Sequence, residues 1–90
     1  QIGPEMTLVL EVDEKALFHF TERPLTAEQE IKKIRGTNSY KVSAVVPDTY
    51  YLRPFLLSLR ANVTVLEPID LRKSLALELK QMVANYTAKK

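Results

Sequence analysis

Glu28-Gln-Glu-Ile-Lys-Lys-Ile-Arg-Gly-Thr-Asn-Ser-Tyr-Lys-Val-Ser-Ala-Val-Val46 is the stretch on which the fold turns. Its centre, Gly36-Thr-Asn-Ser39, is strong turn chemistry: glycine accepts a positive φ, and the short polar side chains bond to nearby backbone. After it, Tyr40, Val42, Ala44 and Val46 fall on one face, the period-two pattern of a half-buried strand. Before it, Ile31 and Ile34 stand three apart, a spacing that leans helical. A hairpin partner for Tyr40–Val46 is nevertheless the simplest use of Glu28–Arg35, so the pattern predicts a strand there. A helix in that segment would break the topology that follows.

Working back towards the N-terminus, residues 1–5 read as a linker from a preceding domain, since Gly3 and Pro4 interrupt any regular element. In Met6–Val12, Leu8, Leu10 and Val12 alternate with Thr7 and Glu11, which predicts a strand with one buried face. Asp13 can cap a following helix whose Ala16, Leu17 and Phe20 share a stripe, and Pro24 ends it. Working forward, Asp48 can cap a second helix, with Leu52, Phe55, Leu56 and Leu59 at i, i+3, i+4 and i+7. Pro54 lacks an N–H and crowds the preceding turn. Either the helix begins near Pro54, where proline is tolerated, or a looser turn from Thr49 leads into it. Val63–Glu67 reads as a fourth strand. Pro68 and Asp70 open a last helix of about 25 Å, with Leu71, Leu75, Leu79, Met82, Val83 and Tyr86 on one stripe. The expected order is β-α-β-β-α-β-α: an α+β fold, ferredoxin-like βαββαβ with an added C-terminal helix over residues 6–90.

Ninety residues suit one domain. A hydrophobic fraction of 46% with 27% charged residues is that of a folded globular chain, because disorder requires low hydrophobicity and high net charge. Cysteine is absent, which removes disulfides and thiolate chemistry and suits a cytoplasmic protein. No apolar run approaches the ~20 residues of a membrane helix, and no signal-peptide pattern is present. The chain opens on Gln1 and reads as a piece of a longer protein. Its net charge of +2 divides unevenly, with −5 over residues 1–31 and +7 over residues 32–90. Two faces of opposite sign would produce this, and so would an unevenly charged solvated surface.

Nothing in the sequence assembles a catalytic centre. His19 is the only histidine. Glu22 lies within reach of it, but no serine or cysteine is placed for it to activate, so it reads as a structural residue. Metal binding lacks a ligand cluster. With only Gly3 and Gly36, no phosphate-cradling glycine loop can form, and the acids of Asp13-Glu14-Lys15 would repel a phosphate after the first strand. Neither enzyme activity nor a cofactor is expected. An independent ferredoxin-like module that binds RNA or a small anionic ligand is the alternative. RNA-binding members of this fold stack bases on sheet aromatics, whereas the third strand here offers only Tyr40, read as a packing residue. Tyr50 and Tyr51 stand beside Arg53, Arg60 follows the second helix, and Arg72 and Lys73 begin the third. Bases with nearby aromatics can hold an anion, and solvated helix charges look the same in a sequence.

Leu56-Leu-Ser-Leu59, Val63-Thr-Val-Leu-Glu-Pro68, Leu71-Arg72 and the late Tyr86 together resemble the C-terminal extension (WCX) domain of WYL-domain regulators. These are bacterial, DeoR-like helix-turn-helix transcription factors. The Met6–Val12 strand, the Glu22-Arg-Pro24 step and Gln29 are similar too, so the resemblance covers about residues 6–86. Phe55 stands where the family usually has tryptophan, and Arg60 where it has a glycine suited to a left-handed helix cap. The resemblance implies a parent with a winged helix-turn-helix and a WYL domain. It also implies a non-catalytic role for this domain in homodimerisation, through contact with the WYL domain of the same or the partner subunit. Sensing a nucleic-acid or nucleotide effector that controls DNA binding is implied as well. Arg53, Arg60, Arg72 and Lys73 are the candidate ligand-binding residues.

Overall fold

The computed structural model describes residues 4–88; Gln1, Ile2 and Gly3 of the expected linker lie outside the described residues. Its elements are β1 (Glu5–Val12), α1 (Glu14–Glu22), β2 (Glu30–Lys33), β3 (Tyr40–Pro47), α2 (Leu52–Ser58), a single 3-10 turn (Arg60–Asn62), β4 (Val63–Glu67) and α3 (Ile69–Thr87). The expected element order is realised, an α+β chain with one four-stranded sheet and three helices.

Glu28–Arg35 yields a strand, shorter than expected, because Thr26–Glu28 are spent in a turn. The β2–β3 hairpin forms where the turn chemistry lies. The Ser39 carbonyl accepts from Ile34 N–H at 2.9 Å, and the Ile34 carbonyl accepts from the Thr37 N–H and hydroxyl. Gly36 takes φ +78° there, a conformation a side chain would strain. The strands lie in the order β2-β3-β1-β4, every neighbouring pair antiparallel, which is compatible with a split βαβ arrangement. β4 is therefore an edge strand. Its pairing with β1 shifts register between Val9 and Leu10, so that Val9 faces Glu67 while Leu10 faces Val65, and Leu66 is the extra residue of a bulge.

Alternation fixes which face is covered. Leu8, Leu10 and Val12 of β1, Val42, Ala44 and Val46 of β3 and Val65 of β4 are buried on one side of the sheet. Ala16 and Phe20 of α1, Leu52 and Leu56 of α2, and Leu71 and Leu75 of α3 complete the same core, so all three helices cover that face. The α1 start is set locally: the Asp13 carboxylate accepts from Ala16 N–H at 2.9 Å, the N-cap bond that satisfies an otherwise orphaned donor. Gln29 closes the loop after α1, its Oε1 accepting from Leu25 N–H and its Nε2 donating to the Phe20 carbonyl.

Two expectations are corrected. Asp48 does not cap α2. A turn through Tyr50 and Tyr51, in which Leu52 N–H meets the Thr49 carbonyl, leads into the helix. The cap position falls to Tyr51, which makes no side-chain cap bond. Pro54 is then the third helical residue, still within the first turn, where its missing N–H has no intrahelical acceptor to lose. The stripe of α3 is the second correction. Leu71 and Leu75 are buried, but Leu79, Met82, Val83 and Tyr86 are exposed. At 1.5 Å per residue α3 is roughly 28 Å long, while the seven residues of α2 beside it reach roughly 10 Å. The C-terminal half of α3 therefore outruns the core that its stripe would need. A radius of gyration of 14.1 Å, against about 12 Å for a compact chain of this length, reflects the projection.

Candidate functional site

The end of α2 shapes the candidate site. Leu59 closes the helix, its N–H reaching the Leu56 carbonyl, and the chain must then reverse to enter β4. Arg60 makes that reversal at φ +58°. This is the left-handed position after a helix that glycine ordinarily fills, and for a side-chain-bearing residue it costs about 1 kcal/mol or somewhat more. The 3-10 turn that follows is anchored at Asn62, whose carbonyl accepts from Asp13 N–H at 3.0 Å. Arg60 is thus held in a fixed frame between α1, α2 and β4.

Beside it lies a groove of about 650 Å³ bounded by α2 with its 3-10 turn, by β4 and by α3. Leu56, Leu57, Ala61, Val63, Leu75, Ala76, Leu79 and Met82 make most of its lining apolar. Among the described residues, Arg60 and Arg72 supply its only charged side chains, and no carboxylate lines it. Among the described residues neither arginine forms an ion pair. A concave apolar site with few convergent polar groups is the usual form of a ligand pocket, and the two guanidinium groups give this one a positive charge.

The four bases singled out in the sequence are therefore not one cluster. Arg60 and Arg72 share the groove. Arg53 lies one to two turns earlier on α2, where its Nε donates to the Ser74 hydroxyl and its guanidinium stands 4.0 Å from the Asp48 carboxylate. Lys73 is exposed and, one residue beyond Arg72, points about 100° away around the helix. Tyr50 and Tyr51, stacked edge-on with centroids 5.0 Å apart, accompany Arg53 at the start of α2 and do not line the groove. His19 packs in an aromatic cluster, its ring 5.3 Å from Phe20 and 5.8 Å from Phe55. Among the described residues, no group of His, Asp and Glu is placed to hold a metal ion, and no helix is long and apolar enough to cross a membrane.

The family model of the WCX domain matches residues 4–83, from the last residue before β1 to well along α3. The chain belongs to the WCX domain family. No curated protein matches it. Within this WCX domain the two departures noted in the sequence acquire a setting. Phe55, in place of tryptophan, packs edge-on to Phe20 at 6.4 Å and fills the aromatic position beneath α1. Arg60, in place of glycine, keeps the glycine conformation and carries a guanidinium to the groove.

The sequence reading missed the groove as such. Leu79 and Met82 read as stripe residues of the last helix, and Leu57 and Ala61 were assigned to no stripe or site. The available signal was the mismatch between a long apolar stripe on α3 and the short α2 beside it.

Proposed function

We propose that this WCX domain is a non-catalytic dimerisation and effector-sensing module of a WYL-type transcriptional regulator. The observation that carries the dimerisation half is the projecting end of α3, where Val83 and Tyr86 are 59% and 89% exposed and share one side of the helix with Leu79 and Met82. Contiguous apolar surface of this kind marks a contact site, and each such side chain gains on the order of 1.5–3 kcal/mol when fully buried. A second copy, or the WYL domain of the same or partner subunit, supplies the missing surface. Sedimentation of the chain from low to high micromolar, alone and joined to its WYL domain, tests this. Concentration-dependent dimers in either form are the expected result, and monomers throughout in both would overturn it.

The effector-sensing half rests on Arg60 and Arg72. Both are unpaired among the described residues, and they flank one apolar groove. Guanidinium groups grip carboxylate or phosphate in two places at once. The bound effector is accordingly anionic, with the operator-binding helix-turn-helix elsewhere in the parent. Anion binding should weaken as salt rises and should fall when Arg60 and Arg72 are replaced together. An affinity indifferent to both changes would leave them as surface charges.

A further inference from the structure

We propose that the anionic partner of the groove is an extended acidic segment of protein, which adds as a fifth strand to the free edge of β4. The proposal rests on the anion-binding reading of Arg60 and Arg72 and names the class of ligand they hold. Its basis is the lining itself. Val63, Thr64 and Val65, three consecutive residues of β4, all border the groove. Side chains of a strand alternate between faces, so a groove on one face would meet every second residue. Contact with three in a row places the groove along the edge of the strand. Among the described residues β4 pairs only with β1, so that edge is free. An edge strand presents unpaired N–H and C=O groups in a row, a ready template for a further strand.

Peptides recognised by strand addition take affinity from main-chain hydrogen bonds and specificity from pockets for alternate side chains. Both elements are present. Leu57, Ala61, Leu79 and Met82 supply apolar walls, and Arg60 and Arg72 supply two cations without a competing carboxylate. A segment matching the five residues of β4 would span about 17 Å. The bulge at Leu66 bends the far end of β4, which leaves the Arg60 end as the regular part for pairing. A nucleic-acid strand fits less well. Single strands bind by stacking on aromatics, and no aromatic side chain lines the groove. A small amphiphilic anion could occupy the apolar walls but would leave the edge groups of β4 unpaired.

The test is a titration of the isotopically labelled chain, followed by amide NMR at a concentration where it is monomeric. The probes are an acetylated, amidated alternating Glu-Val hexapeptide, its Lys-Val counterpart, the Glu-Val peptide with alternate amides N-methylated, an oligothymidylate and dodecanoate. The Glu-Val peptide should shift the amides of Val63–Val65 and Leu79, while the Lys-Val peptide should not. N-methylation should weaken binding about tenfold, the effect of losing two main-chain hydrogen bonds. Arg60→Gln and Arg72→Gln should each weaken it by about the same factor. Leu79→Asp, which places a carboxylate in the groove without touching either arginine, should abolish it in a chain whose spectrum remains dispersed. Equal binding of the N-methylated peptide would overturn strand addition. Arginine-dependent binding of oligothymidylate or dodecanoate in preference to the peptide would overturn this proposal and leave the anion-binding reading standing. Binding of none of the anions would sink both.

Discussion

The Arg53 side chain reaches from α2 to α3, its Nε donating to the Ser74 hydroxyl at 3.3 Å. Its guanidinium also stands 4.0 Å from the Asp48 carboxylate. Arg53 is therefore engaged in fastening the second helix to the third, at the end of α2 away from Arg60. Half-exposed ion pairs at this distance contribute little, and the hydrogen bond is the larger part. Arg53→Ala should cost about 1 kcal/mol in chemical denaturation while leaving anion affinity within about twofold. A large loss of affinity with unchanged stability would return Arg53 to the binding surface.

Arg60→Gly should do the opposite. Glycine enters φ +58° without the steric penalty that arginine bears, so the variant should gain about 1 kcal/mol, or roughly 4–8 °C in Tm for a domain of this size. The same change removes one of the two cations of the groove and should weaken binding of an anionic ligand. Opposite signs in melting and binding are the signature of a residue retained for its ligand at a cost in stability. A variant that is less stable and binds normally would show that Arg60 stays for packing alone.

Gln29 spans the loop between α1 and β2, with its amide bonded at both ends to backbone of Phe20 and Leu25. Gln29→Leu keeps the bulk and leaves two part-buried backbone groups without those partners, so it should cost about 2 kcal/mol. Urea denaturation with an unchanged slope would assign the loss to stability rather than to a less compact fold.

The elements legible in the sequence are those fixed by local bonding. Asp13 caps α1 through a bond to a backbone three residues away, and Gly36 sets the β2–β3 hairpin through its own φ. Asp48 misled because a turn through Tyr50 and Tyr51 is inserted before α2, so that the cap position falls three residues later, at Tyr51. The α3 stripe misled for a different reason. Periodicity tells which residues share a side of a helix, not whether the neighbouring element is long enough to cover them. Of the site, Arg60 was marked by standing at a glycine position, but its meeting with Arg72 depends on how α3 crosses β4, which no local pattern encodes. Lys73 was drawn in by its place next to Arg72, a proximity in sequence that the helix turns into divergence.

Two apolar positions on α3, Leu75 and Val83, separate folding from association. Leu75 is buried in the core and Val83 is 59% exposed. Leu75→Ala should cost roughly 2–5 kcal/mol through lost burial and the cavity left behind, which is a large share of the stability of a small domain. Val83→Glu combined with Tyr86→Glu replaces apolar surface that the monomer leaves in water, so it should change monomer stability by about 0.5 kcal/mol or less. The pair should nevertheless abolish the concentration-dependent association expected of the projecting helix, because a dimer would have to bury two carboxylates on each side. Thermal melts at low concentration, read alongside sedimentation at high concentration, check both halves. If the double glutamate variant associates as well as the unaltered chain, the end of α3 is not the contact surface, and the dimer must be built from another face of the domain.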